Sequence, residues 1–516
     1  MITLGAHDLT LEEIYQILFH KEEIELSNEA VQRVSNCHNF LDEFSQDKVI
    51  YGINTGLGPM APYKIEKEFQ TQLQYNAIRS HCSGCGDPIP DKFAKAAMLS
   101  RLNTQLRGFS GIHPEVVELL TLLINKNISA VIPEHGGVGA SGDLVQLAHL
   151  ALTLIGEGEV WYKGKITPTA EVFAAENIKP ISIHIREGLS LINGTSVMTG
   201  IGVINQMNAY NLLNWSIFAS CVINEIVGSF DDHYSHELNV VKRHKGQEII
   251  AGYMRNILTG SKLIRKRQEH LYGREFKEDI LADKVQEYYS LRCVPQILGP
   301  IYDTLLNSEE ILINEFNSVN DNPIVDVEHE NIYHGGNFHG DYVSLEMDKI
   351  KTVMTKLSML AERQLNYLLN PKLNDLLPPF VNLGTLGLNF GMQGVQFTAT
   401  SSVAENQTLS FPMYVHSISC NNDNQDIVSM GTNSALITKR VISNTYDVVA
   451  IELITLIQAI DYLNYQDRMS GYTRFIYDKL REIVPAFKED STKSKDIKGI
   501  RKFMQNYRLR PEISLP

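Results

Sequence analysis

The 516-residue sequence is poor in cysteine, has two tryptophans, carries no basic excess and lacks any long uninterrupted apolar run. Six cysteines, Cys37, Cys82, Cys85, Cys221, Cys293 and Cys420, are too few and too scattered for a disulfide framework, so reduced thiols are expected. Only Cys82 and Cys85 are closely spaced, beside His81, and no second Cys or His pair at finger-like spacing completes four zinc ligands. No metal site is therefore expected. No stretch has the apolar length that spans a bilayer. The segment Met1 to Glu13 shows neither a basic n-region nor an apolar h-region, so a cytoplasmic location is expected. A formal net charge of −14 argues against nucleic acid and against anionic membrane. Small-molecule chemistry remains, in a chain whose 43% hydrophobic content supports a large core and whose length allows two domains.

The first part of the chain is punctuated by glycine and proline, at Gly52 to Pro62, Gly84 to Pro90, Gly108 to Pro114, Pro133 to Gly142 and Gly156 to Gly164. Helical patterns run between these loops, as at Phe93 to Leu106 and Val116 to Ile124, and Glu159-Val160-Trp161-Tyr162 with Lys163-Gly164-Lys165-Ile166 reads as a small hairpin. From about residue 196 the pattern changes to apolar residues at spacings of three and four over Val197 to Val227, Tyr302 to Phe316, Met347 to Leu369 and Ala435 to Leu463. In Met347 to Leu369, the residues Ile350, Val353, Met354, Leu357, Leu360, Ala361, Leu365 and Leu368 form one stripe, with Lys351, Lys356, Glu362 and Arg363 largely on other faces. The expected fold is mainly α: a loop-rich, mainly helical domain over 1–195 and an elongated bundle of long helices over 196–516. Stripes of this width are readily covered by copies of the same bundle, so a homo-oligomer is expected. Lys488 to Lys502 reads as a solvated helix or tail.

The most informative segment is Gly136-Gly137-Val138-Gly139-Ala140-Ser141-Gly142-Asp143-Leu144. It can be an ordinary glycine loop entering a helix, with Ser141 as N-cap, Asp143 in the first turn and Leu144, Leu147, Ala148 and Ala151 as the buried stripe. It can also react with itself. Gly142 lacks Cβ, so its nitrogen can approach the carbonyl carbon of Ala140, and loss of water closes a five-membered ring. Loss of a second water from Ser141 leaves a methylidene conjugated to that ring, an electrophile that no ordinary side chain supplies.

Together with Val145-Gln146-Leu147-Ala148-His149-Leu150-Ala151, this segment resembles the prosthetic-group loop of the histidine, phenylalanine and tyrosine ammonia-lyases. The resemblance implies an ammonia-lyase/fumarase-like architecture and 4-methylidene-imidazol-5-one (MIO) formed autocatalytically from Ala140-Ser141-Gly142, with no metal or nucleotide. It implies an MIO amine adduct in the reaction, and a homotetramer with shared active sites in which Tyr51 and Arg292 stand opposite a neighbour's MIO. Eliminating ammonia requires an activated leaving amine, a base for a weakly acidic β-proton and a grip on the carboxylate. Tyr51-Gly52-Ile53-Asn54-Thr55-Gly56-Leu57-Gly58 looks like the family's lid segment, making Tyr51 the base and Gly58 a substrate neighbour; helix N-termini and Arg292 would favour the phenolate. Gln286-Glu287-Tyr288-Tyr289-Ser290-Leu291-Arg292 resembles the family signature in which Arg292 forks the carboxylate, Tyr289 handles a proton or supports the MIO, and Gln286 is a neighbour. Asn193 matches the asparagine at the MIO carbonyl and Phe338 the aromatic beside it. Asn424 and Gln425 match the asparagine-glutamine motif, and Glu405 a glutamate facing substrate.

Ring preference in this family follows the pair matching Ser80-His81, which resembles the histidine enzymes. Asn424-Gln425-Asp426, however, resembles the phenylalanine and tyrosine enzymes, because histidine enzymes carry an additional glutamate after the glutamine. His81 can bond a phenol as readily as an imidazole, whereas phenylalanine would leave it unpaired. The wording along the chain is most similar to a bacterial subgroup of tyrosine ammonia-lyases with the same Ser-His pair. The expected reaction is L-tyrosine to trans-p-coumarate and ammonia. Histidine ammonia-lyase activity giving urocanate, a tyrosine 2,3-aminomutase and an inactive helical scaffold are the alternatives.

Overall fold

The computed structural model describes residues 1–510 apart from 47, 274, 276–278 and 282–283. It is mainly helical, and its strands are two to four residues long in small separate sheets. Two compact units are present. The first comprises Met1–Met207, Ser308–Asp348 and Pro412–Lys439, and the second Asn208–Asn307, Lys349–Phe411 and Arg440–Pro516.

In the first unit, helix α1 (Gln70–His81) shows Leu73, Asn76, Ala77, Ser80 and His81 on one face, the spacing of a single helix side. Helix α2 (Asp91–Gln105) starts directly after Pro90, whose fixed φ suits a helix entry, and buries every residue from Ala94 to Gln105. A helix covered on all sides must find partners for its polar groups; those of Arg101 and Asn103 are backbone carbonyls and asparagine side-chain oxygens of later segments. Helix α3 (Leu144–Leu154) follows the glycine loop, and α4 (Glu187–Ile192) ends at Asn193. The hairpin is present as Glu159–Tyr162 paired antiparallel with Lys165–Pro168. Lys163 and Gly164 turn it at φ of 50° and 77°, as a two-residue hairpin turn requires.

The long periodic segments are helices α5 (Ser196–Val227), α6 (Val294–Phe316), α7 (Asp341–Leu369) and α8 (Gly431–Leu463), and the boundary between the units falls inside all four. Each begins earlier in the sequence than its apolar pattern, by eight residues in α6, where Pro295, Gly299 and Pro300 break the pattern inside the helix. On α7 the stripe Ile350, Met354, Leu357, Leu360, Ala361, Leu365 and Leu368 is buried, but so are Lys351 and Glu362, which the periodicity assigns to other faces. The Lys351 ammonium donates to the Phe411 carbonyl at 2.9 Å and Glu362 pairs with Arg363, so α7 is packed on more than one side. Within Lys488 to Lys502 the helix Ser494–Asn506 begins, with Ile500 and Met504 buried. Among the described residues no helix is long and apolar enough to cross a membrane.

Candidate active site

Ser141 is not a helix N-cap. Helix α3 starts at Leu144 and Asp143 takes the cap position, where its backbone carbonyl accepts the Leu147 amide at 2.8 Å but its side chain makes no bond to α3. Its Oδ2 instead accepts the Val197 and Met198 amides, at 2.8 and 2.9 Å, in the first turn of the 32-residue α5, and its Oδ1 accepts the Thr432 hydroxyl. One carboxylate thus staples the glycine loop to the positive end of a long helix and to the start of α8. Burial pushes this carboxyl up to about 6, and those same hydrogen bonds work in the opposite direction.

Close backbone approach explains the glycines. Gly139 and Gly142 have φ of 78° and 70°. A Cβ on Gly142 would stand 1.9 Å from the Gly194 carbonyl oxygen, and one on Gly139 2.0 Å from Ser429 Oγ. The Asp143 amide donates to the Gly194 carbonyl at 2.7 Å, while Gly139 O accepts the Gly340 amide at 3.1 Å and the Ser429 hydroxyl at 2.9 Å. Ala140 is buried against Val428 and Met430.

The loop therefore presents Ser141 to a cavity of about 770 Å³. The Ser141 carbonyl accepts the Asn193 side-chain amide at 3.1 Å and the Gly194 amide at 3.4 Å, and Gln425 Nε2 donates to Ser141 Oγ at 2.8 Å. Two donors on one carbonyl form the kind of hole that holds developing negative charge. Tyr51, Gly58, Ser80, His81, Asn193, Phe338, Asn424 and Gln425 line the same cavity as Ser141, in one unit. Tyr51 Oη accepts the Gly58 amide at 2.8 Å, so the loop that Tyr51 begins fixes its oxygen. His81 Nδ1 lies 2.7 Å from the Ala77 carbonyl, which can only accept; Nδ1 therefore carries a hydrogen, and in the neutral ring Nε2 is an acceptor. No Asp, Glu, Lys or Arg is among the lining residues.

Gln286, Tyr289, Arg292 and Glu405 do not line this cavity and belong to the second unit. Gln286 and Tyr289 line a separate cavity of about 710 Å³, with Lys284, Arg363 and Tyr367. The Arg292 guanidinium lies over the Tyr289 ring, 4.8 Å from its centroid. Glu405 bonds Asn444 at 2.6 Å and Arg440 at 3.2 Å, which hold its carboxyl below the ordinary range. Tyr51, which the resemblance places opposite a neighbour's MIO, here shares a cavity with Ser141 of its own chain, where the loop after Tyr51 and helix α1 form one wall.

Asn76, Asn322, His334 and Asn421 also line the cavity and escaped the sequence reading. Asn76 alone had a local signal, lying five residues before His81 on the same helix. Asp143 and Thr432 escaped for another reason: a long-range cap leaves no periodicity. Among the described residues, no group of three or more His, Cys, Asp or Glu is disposed to hold a metal ion.

Residues 9–482 match the family model described as aromatic amino acid lyase. The chain is 38% identical over 501 residues to the histidine ammonia-lyase of Bacillus cytotoxicus, covering 97% of this chain and 96% of the relative. It is 37% identical to the tyrosine 2,3-aminomutase of Chondromyces crocatus over 495 residues, covering 95% of this chain and 93% of that one. The crystal structure of tyrosine aminomutase from Streptomyces globisporus superposes with a TM-score of 0.93 at 35% identity, over 98% of this chain and 96% of that one.

Proposed function

The chain belongs to the aromatic amino acid lyase family, and from that premise we propose that it eliminates ammonia from L-tyrosine to give trans-p-coumarate. The observation that carries the choice of ring is His81. With Nδ1 committed to Ala77, its Nε2 is an acceptor on a cavity wall without formal charge, suited to a neutral phenol O–H. Phenylalanine would leave that acceptor unpaired, and the choice of tyrosine over histidine, whose neutral N–H His81 would accept as readily, rests on the likeness of Asn424-Gln425-Asp426 to the phenylalanine and tyrosine enzymes.

The residues at 140–142 fit an MIO group. Gly142 has no room for a Cβ, the Ser141 hydroxyl is held by a donor, and two donors meet the carbonyl that becomes conjugated. In its formation Gly142 N bonds to Ala140 C, and the Ala140 oxygen leaves as water with the amide hydrogens of Gly142 and Ser141. Ser141 then loses its hydroxyl and its α-hydrogen as a second water. The group supplies an electrophilic methylidene carbon for the substrate amine. Asn193 and Gly194 polarise the Ser141 carbonyl, His81 orients the phenol, and Tyr51 as its phenolate takes the β-proton, whose C–H pair forms the Cα=Cβ bond as the Cα–N pair leaves with the amine. The cavity has no cation for the substrate carboxylate. Arg292, with Tyr289 and Gln286 near it in sequence, fills that need from another copy in a homotetramer.

Separate incubation with L-tyrosine, L-histidine and L-phenylalanine tests the reading: p-coumarate as the main product supports it, and preferential urocanate or cinnamate overturns it. The tyrosine 2,3-aminomutase relatives favour a second reading, in which the amine returns to the β-carbon; β-tyrosine in place of p-coumarate would establish it.

A further inference from the structure

Arg101 lies in the middle of α2 with no solvent exposure. Its Nη2 donates to the Ser190 carbonyl in α4, and its Nη1 reaches Asn320 Oδ1 at 3.4 Å and Ser196 Oγ at 3.5 Å, while Nε has no partner. Arg186 is equally buried and already pairs with the neighbouring Asp321 at 3.4 Å. A buried guanidinium with one close carbonyl, two long contacts, an unpartnered Nε and no ion pair to a carboxylate is a poor way to stabilise a fold, since its desolvation is a cost that an apolar side chain avoids.

Its position suggests another use. A Cβ on Gly194 would stand 2.4 Å from Arg101 Nη1, so the guanidinium lies directly against the Gly194 α-carbon. The two peptide groups of Gly194 meanwhile bond Ser141 O and the Asp143 amide. Arg101 also ties together the end of α4, which sets Asn193, and the start of α5, which Asp143 caps. Its charge favours the ionised form of Asp143, the carboxylate that staples the loop.

We infer that Arg101 is a positioning residue for the condensation of Ala140-Ser141-Gly142, pressing the Asn193–Gly194 turn against the loop so that Gly142 N meets Ala140 C. The inference rests on the reading that this tripeptide forms MIO. Bond formation between two backbone atoms is sensitive to placement, and a misplacement of about 1 Å costs on the order of 10²-fold in rate.

The test compares full-length wild type, Arg101→Met and Arg101→Lys by intact mass and near-ultraviolet absorbance through a refolding time course, with melting to establish that each is folded. A wild type that keeps its full encoded mass refutes MIO formation and with it the function proposed above, independently of Arg101. With a dehydrated wild type, a folded Arg101→Met is expected to lose its two waters on the order of 10²-fold more slowly. Arg101→Lys is expected to fall between the two, because an ammonium keeps the charge but cannot span Ser190 and Ser196 as a planar fork does. Dehydration of folded Arg101→Met at the wild-type rate overturns the role. If Arg101→Met does not fold, Arg101→Lys decides: slowed dehydration supports the role and unchanged dehydration overturns it.

Discussion

Replacing His81 with phenylalanine isolates the feature on which the choice of substrate rests. In the wild type, Nδ1 bonds the Ala77 carbonyl at 2.7 Å and Nε2 remains for the substrate hydroxyl. His81→Phe preserves the flat ring on α1 and removes that acceptor. Leaving a buried phenol hydroxyl without its partner costs about 1–3 kcal/mol, which lowers kcat/KM for tyrosine by roughly 5- to 150-fold. Ser80 and Asn76 line the same wall and can offer partial replacement, so the lower half of that range is expected. Phenylalanine gains instead, because no acceptor is stranded against its bare ring. The assay is steady-state kcat/KM for each amino acid with wild type and variant, read as the ratio of the two. If the tyrosine-to-phenylalanine ratio is unchanged while both proteins melt alike, His81 does not read the ring and the argument from its tautomer fails.

Ser141→Ala should fold and lose nearly all turnover, since no methylidene can form without the serine oxygen; wild-type rates in a variant of verified sequence would remove the mechanism. Gly142→Ala places a Cβ where the Gly194 oxygen is 1.9 Å away, at a φ of 70°, so the loop must shift and intact mass should show no loss of water. Glu225 in α5 is buried, accepts the Ser470 amide at 2.7 Å, and burial pushes its carboxyl up to about 7 from the ordinary 4.5. The native state therefore holds this proton more tightly than the unfolded chain does, and stability from this group declines as pH rises across that interval, by up to about 3 kcal/mol. Melting temperatures of wild type and Glu225→Gln from pH 4.5 to 8 should converge at low pH and diverge at high pH in favour of the variant; parallel curves would show that Glu225 does not titrate in this way.

The long helices were legible because burial of one face imposes a period on the sequence, and Val197 to Val227 differs by one residue from the observed Ser196–Val227. The hairpin at 159–168 was equally legible, since its turn chemistry is local. Gly139 and Gly142 could be read as positions needing close approach, but what approaches them could not: Gly194, Ser429 and Gly340 lie far away in sequence. The same applies to Asp143, which a local reading assigns to its own helix but which caps α5, and to Arg101, whose helix has no exposed face to give it periodicity. Lys351 and Glu362 were misplaced for a related reason: a buried charge that reaches an internal carbonyl, as Lys351 does, or an exposed neighbouring counter-ion, as Glu362 does, looks in sequence like one that faces water.

The central claim is that Ala140, Ser141 and Gly142 condense into the electrophile. Mass spectrometry of the peptide spanning residues 136–144, cut from freshly purified protein that is turning over tyrosine, tests it most directly. The expected result is a fragment lighter than its encoded mass by two waters, localised to 140–142. The full encoded mass in turnover-competent protein would contradict it.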